Sequence, residues 1–267
     1  MTRPLCALTI AGSDSGGGAG IQADLKTFAA HRVHGLSSIT ALTAQHTRGV
    51  TAVHVPPVAF LRAQIDACFD DFRVGAVKLG MLATAEVIAT VADAIEAHRP
   101  AYVVVDPVMV ATSGARLLAD DALDALRTRL LPLATVLTPN TPEAELLLGT
   151  RIADGAAADA ALAALRAMGP GAVLLKGGHL DEGDAVVDRF ADASGRTHNR
   201  QPRLDLDGHG TGCTLASAIA ANLCLGLDPG AACAAGIAYV QRGLAGGQRP
   251  GRSEVVVLDH FGAGVTS

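Results

Sequence analysis

The segment Asp207-Gly208-His209-Gly210-Thr211-Gly212-Cys213-Thr214 brings glycines, a small hydroxyl residue and a thiol to the start of an apolar helical run ending near Leu223. The first turn of a helix has unpartnered backbone N–H groups and a partial positive charge, so it suits an anion. Glycine removes the Cβ that would hold a phosphate off the backbone. Cys213 falls within that turn, where the same field is expected to lower a thiol pKa. The segment therefore reads in two ways: an anion cradle beside an activatable thiol, or a glycine-rich turn over a buried cysteine.

Other residues with chemical potential recur at strand exits. Asp106-Pro107-Val108-Met109 ends an apolar strand on a carboxylate. Asn140 and Glu143, spaced i and i+3, share a face at a helix start. They read either as a capping box or, for Glu143 together with Asp106, as carboxylates that hold Mg²⁺ through water. Lys176 follows a strand and can offset phosphate charge or simply snorkel into solvent. The run from Gly12 to Gly20 joins a strand to a helix but lacks both G-x-x-x-x-G-K-[ST] and G-x-G-x-x-G. It is either a tight turn or a backbone wall around a small substrate, with Asp24 on the next helix turned towards it. His209 reads as a phosphate donor or an ordinary loop residue. Cys6, Cys68, Cys224 and Cys233 sit among apolar neighbours and read as packing residues.

The elements that must position these groups alternate between short β-type runs and Ala/Leu-rich helical stretches, which predicts a parallel sheet covered on both faces. Strands are expected at 5–11, 37–44, 76–79, 102–105, 135–137 and 173–175, with a hairpin at 185–190 and 195–204. Helices are expected at 21–31, 58–69, 85–98, 121–130, 141–148, 156–168, 211–225 and 229–245, and a last strand at 254–258. Gly12, Gln45, Gly80-Met81, Asp106, Thr138 and Lys176 then all follow strands, where open parallel sheets bind ligands. No linker or repeat divides the 267 residues, so one domain over 1–267 is expected.

Composition narrows the function. A net charge of −5, two Tyr and no Trp disfavour nucleic acid as partner. No apolar run approaches the ~18 residues of a membrane span, and the first residues do not fit a signal peptide. Five cysteines without CxxC pairs suggest reduced thiols and a cytoplasmic protein.

Several stretches resemble the hydroxymethylpyrimidine/phosphomethylpyrimidine kinases of thiamine biosynthesis, in the ribokinase-like superfamily. These are the run from Ala11 to Thr27, Ala41-Leu42-Thr43-Ala44-Gln45, Lys78-Leu79-Gly80-Met81-Leu82, Asp106-Pro107-Val108-Met109, Thr138-Pro139-Asn140-Thr141-Pro142-Glu143-Ala144, Leu175-Lys176-Gly177-Gly178-His179 and His209-Gly210-Thr211-Gly212-Cys213-Thr214. The resemblance implies an α/β fold, a three-layer α/β/α sandwich on a mostly parallel sheet without a separate lid domain, and a homodimer. It implies ATP with Mg²⁺ and two successive phosphorylations of an aminopyrimidine. Carried over by position, Gln45, Gly12, Asp24 and Met81 would form the substrate pocket. Asp106, Thr138, Asn140, Glu143 and Lys176 would meet ATP, with Asp106 and Glu143 near the metal. Gly210, Thr211, Gly212 and Cys213 would form the catalytic anion hole, with Cys213 as base. Asp207-Gly208 departs from the Asn-Thr that relatives often carry there, and the tail from Arg249 matches only loosely. A pyridoxal kinase is the nearer rival reading and a non-catalytic pyrimidine-binding protein the more distant one.

Overall fold

Side chains alternate along a strand, so a strand buried on both sides needs two covering layers. The computed structural model, which describes residues 3–109, 118–119 and 121–264, shows this division in every central strand. These are β1 (Cys6–Asp14), β4 (Val74–Leu79), β5 (Tyr102–Val105), β6 (Val136–Leu137) and β7 (Ala172–Leu175). Leu8, Ile10, Val77, Leu79, Val103, Val105, Val173 and Leu175 pack on one face with α2 (Val58–Asp71), α3 (Ala85–His98) and α6 (Gly155–Arg166). Ala7, Ala76, Val104, Val136, Ala172 and Leu174 pack on the other with α1 (Gly20–Ala30), α7 (Thr211–Cys224) and α8 (Pro229–Ala245). Small residues on this second face let α7 lie close to the sheet through Ala216 and Ala220. The α/β/α sandwich is thus observed.

The sheet order is β3-β2-β1-β4-β5-β6-β7-β8-β9, with β2 at His34–His46, β3 at Gly49–His54, β8 at Ala185–Ala191 and β9 at Arg196–Pro202. Strands β2 to β7 in that order run parallel; β3, β8 and β9 are antiparallel additions at the two edges. The chain leaves β1 for β2 on one side and returns to β4 on the other. That reversal opens a crevice beyond the carboxyl ends of the strands. Among the described residues no helix is long and apolar enough to cross a membrane.

Four expectations shift. β2 continues to His46 and pairs with β3, so Gln45 lies within a strand rather than after one. Gly49–His54 carries no one-sided apolar pattern because both of its faces are at least partly exposed. The helix expected at 121–130 is α-helical only at α4 (Ala122–Ala125), widening to a π turn over Leu126–Leu130. The final strand shrinks to β11 (Val256–Val257), which pairs in parallel with β10 (Gly208–His209), a two-residue strand too short to have a period. Helix α5 (Thr141–Leu148) begins as expected, with Asn140 as its cap.

Candidate active site

One cavity of about 750 Å³ collects most of the residues singled out from the sequence. Gly12, Gln45, Met81, Asp106, Asn140, Glu143, Lys176, Gly210, Thr211, Gly212 and Cys213 all line it. They come from seven elements or their exits, and the crevice at the strand ends is where they meet.

The glycine-rich loop is organised by Asp14. Its carboxylate accepts N–H bonds from Gly16 at 2.7 Å, Gly18 at 3.0 Å and Ala19 at 2.8 Å, so the loop curls around a buried anion. Burial works against that charge, yet His209 and the N–H groups of Ala19 and Gly16 hold Asp14 below the usual carboxylate range. Ser15 closes the loop onto β2 by donating to the Gln45 carbonyl at 2.8 Å. Gly12 and Met81 meet across the wall: a Cβ on Gly12 would lie 3.2 Å from Met81 Sδ. Thr40 fixes the Met81 backbone with a 2.6 Å bond to its carbonyl.

Gly210 caps α7 with φ of 81°, the left-handed region. A Cβ there would collide with the Gly18 carbonyl oxygen, so the anion-hole loop and the glycine-rich loop touch backbone to backbone. Gly210→Ala is therefore expected to displace the hole. Losing one such donor costs about 10²–10³ in turnover, while the strain costs about 1–3 kcal/mol of stability. Steady-state kinetics beside a melting curve check this, and near-native turnover would refute it.

Cys213 corrects an expectation. Its sulfur accepts the Gly20 N–H at the start of α1, but burial pushes the thiol up to about 11. Lys78 opposes this rise, and the Asp24 and Asp106 carboxylates add to it. The helix field is outweighed, and the thiol is protonated at neutral pH.

Asp24 also departs from expectation, because it does not reach the cavity. It is fully buried, held by Lys78 at 3.0 Å to both oxygens, by the Thr9 hydroxyl at 2.6 Å and by the Ser217 hydroxyl at 2.6 Å. Lys78 is equally buried. Burial pulls the Lys78 ammonium down and Asp24 more than compensates, leaving it above its ordinary range. The pair lies behind the wall, where the sequence reading had put a substrate contact. Ser217 stands one turn after Cys213 on α7, so the pair sits under the thiol.

At the far side of the anion hole, Lys176 bridges Asp106 at 3.0 Å and Glu143 at 3.6 Å. Its ammonium also stays above its ordinary range, because the two carboxylates outweigh burial. Burial pushes Glu143 up to about 7, with Lys176 opposing and Asp106 adding to the rise. The capping-box reading of Glu143 holds: it accepts the Asn140 N–H at 2.7 Å while Asn140 Oδ1 accepts the Glu143 N–H at 2.8 Å, and Glu143 also faces the cavity. Thr138 is fully buried, its hydroxyl 3.5 Å from Asp106 Oδ1, so it backs the carboxylate and does not line the cavity. A Cβ on Gly212 would lie 3.2 Å from Lys176 Nζ and 3.4 Å from Asp106 Oδ2. Its absence leaves room for an anion directly over the lysine.

The sequence reading left the far wall unassigned. Val186, Leu204, Gln241 and Leu244 line it, and Arg203 braces it by donating to the Gly178 carbonyl at 3.0 Å and the Leu180 carbonyl at 2.7 Å. These residues come from the β8–β9 edge and α8, and nothing in their local spacing marks them. His209, left undecided, pairs with Asp14 at 3.0 Å.

A family model described as phosphomethylpyrimidine kinase matches residues 14–257. A hydroxymethylpyrimidine/phosphomethylpyrimidine kinase from Streptomyces coelicolor is 51% identical over 92% of this chain and 91% of its own. The crystal structure of a phosphomethylpyrimidine kinase from Clostridium difficile superposes with a TM-score of 0.80 at 41% identity, covering 89% of this chain and 98% of that one. A pyridoxal kinase from Staphylococcus aureus, solved with AMP-PCP and pyridoxal, superposes with a TM-score of 0.88 at 32% identity, covering 98% and 95%. The motifs at the strand exits and the cavity they build are thus found in a protein that belongs to the phosphomethylpyrimidine kinase family, on a ribokinase-like fold.

Proposed function

We propose that this protein transfers the γ-phosphoryl group of MgATP to the 5-hydroxymethyl arm of 4-amino-5-hydroxymethyl-2-methylpyrimidine. It then phosphorylates the monophosphate to the diphosphate, in thiamine biosynthesis. The observation that carries this reading is the α7 N-terminus, Gly210 to Cys213. It opens between a small-molecule wall (Gly12, Gln45, Met81) and a charged cluster (Asp106, Glu143, Lys176) in one cavity. The substrate oxygen attacks phosphorus, the bond to the β–γ bridging oxygen breaks, and the electron pair leaves on ADP. Backbone N–H groups at the helix start face the transferring oxygens, and Lys176 balances their charge.

Asp106 and Glu143 fit a hard cation held through water. Both are oxygen donors on the cavity wall, Gly212 leaves space beside Asp106 Oδ2, and no three His, Cys, Asp or Glu side chains converge into a metal cage among the described residues. Bound there, Mg²⁺ would neutralise phosphate charge. With its thiol protonated at rest, Cys213 orients the attacking hydroxyl, whose proton passes to an oxygen of the transferred phosphoryl group as the new P–O bond forms. Cys213→Ala is expected to lower kcat by about 10² with KM little changed; a coupled ADP assay reads it, and full activity would remove Cys213 from the chemistry.

Pyridoxal is the second candidate substrate, favoured by the likeness to solved pyridoxal kinases at 32% identity. The pyrimidine reading ranks first because relatives named for it share about half of the sequence. A single domain over the chain, a homodimer and a cytoplasmic location complete the reading. ³¹P NMR with MgATP and each substrate tests the function. Monophosphate followed by diphosphate from the pyrimidine supports it, and turnover of pyridoxal alone moves the assignment.

A further inference from the structure

Four side chains meet where the glycine-rich loop, β2 and β10 converge. Thr43 Oγ1 lies 2.9 Å from the Ser13 carbonyl oxygen and 3.1 Å from one end of the Gln45 carboxamide. The other end of that carboxamide lies 3.2 Å from His209 Nε2, which is also 3.0 Å from Asp14 Oδ2.

The protons available leave one consistent arrangement. A hydroxyl has one proton, and the Ser13 carbonyl can only accept, so Thr43 donates to Ser13 over the shorter contact. Thr43 Oγ1 then has lone pairs to offer Gln45, and the carboxamide end facing it is the amino group. The opposite end gives the same answer independently. Asp14 accepts three backbone N–H bonds and sits below the usual carboxylate range, so it is an anion that takes a proton from Nε2. An Nε2 that donates cannot receive a bond from an amide N–H, so the carboxamide end facing His209 is the oxygen, and the single Nε2 proton is shared between it and Asp14 Oδ2 in a three-centre bond.

We infer that His209 and Thr43 are positioning residues that set the substrate edge of Gln45: His209, as its Nε2–H tautomer anchored on Asp14, turns the carboxamide oxygen towards itself, and Thr43 holds the amino group. A carboxamide has two acceptor and two donor positions. One of each is spent on these partners, which leaves one acceptor and one donor in a fixed order. An amino group next to a ring nitrogen supplies the complementary pair, the same match by which glutamine reads adenine. A ring without that amino group leaves the Gln45 acceptor unpaired. Specificity for an amino-substituted heteroaromatic is thus built by a residue that need not touch the substrate. This rests on the substrate reading above.

The first test needs neither substrate nor variant turnover. Long-range ¹H–¹⁵N correlation on the substrate-free protein, with His209 assigned by loss of its signals in His209→Gln, is expected to show the Nε2–H tautomer. The Nδ1–H tautomer would overturn the inference. The second test compares kcat/KM for the aminopyrimidine with that for the same pyrimidine lacking its amino group. His209→Leu is expected to shrink the native preference by about tenfold, chiefly through KM. His209→Gln, whose amide N–H can stand in for Nε2–H, is expected to retain it. An unchanged preference in a folded His209→Leu, or equal loss in both variants, would overturn the inference. Thr43→Val repeats the test from the other end if His209→Leu does not fold. If the native protein phosphorylates neither pyrimidine, the proposed function fails and the tautomer result still decides the inference.

Discussion

Replacing Lys78 by methionine is expected to lower the melting temperature by about 10 °C. Lys78 and Asp24 are both fully buried and bonded at 3.0 Å through both carboxylate oxygens. Removing one partner strands a charge in the interior, which costs about 3–5 kcal/mol, and a chain of this size loses about 2–4 °C per kcal/mol. Replacing both, as Asp24→Leu with Lys78→Met, is expected to recover only part of the loss. The stranded charge disappears, but the Thr9 and Ser217 hydroxyls lose the acceptor they reach at 2.6 Å. Differential scanning calorimetry of the two variants decides this; a single variant as stable as the native protein would show that the pair is not worth its burial. Lys78→Met also removes the cation that opposes the rise of the Cys213 thiol, so alkylation of Cys213 at fixed pH should slow.

Lys176→Met is expected to reduce kcat/KM by about 10³ while the fold survives. The ammonium is the cation that bridges Asp106 and Glu143, and without it two carboxylates face incoming phosphate. Glu143, already pushed up to about 7, can take a proton in compensation, and this spares stability more than activity. Lys176→Arg should not restore turnover. The wider guanidinium would fill the space over Nζ that Gly212 leaves for the anion, where a Cβ would lie only 3.2 Å away. Kinetics with a melting control test both variants: substantial activity in Lys176→Met would displace Lys176 from the charge balance proposed here, and substantial activity in Lys176→Arg would refute the argument from space.

Much of the frame was legible because parallel strands buried on both faces are short apolar runs, and because polar residues at their exits break those runs. Asp106 and Lys176 stood out for that reason, and both face the cavity. Asn140 and Glu143 stood out through cap spacing, and the capping box is present. The β3 strand was not legible, since both of its faces are at least partly exposed and it carries no one-sided apolar pattern. Neither was β10, where two residues are too few to have a period.

By itself the sequence determined the order of the elements and the residues at each strand exit, because side-chain periodicity and cap chemistry are local. Only the tertiary structure decided which charges meet. Asp24 lies one turn into the helix that follows the glycine-rich loop and was expected in the pocket, yet Lys78, 54 positions on, draws it beneath the wall. Lys176 finds Asp106 across 70 positions, and His209 finds Asp14 across 195. The thiol of Cys213 went the same way. A helix start predicts a lowered pKa from local dipoles, but burial and two carboxylates brought in by distant strands and helices reverse it. Local spacing fixes the face on which a side chain lies; its depth and its partner depend on how separate elements pack.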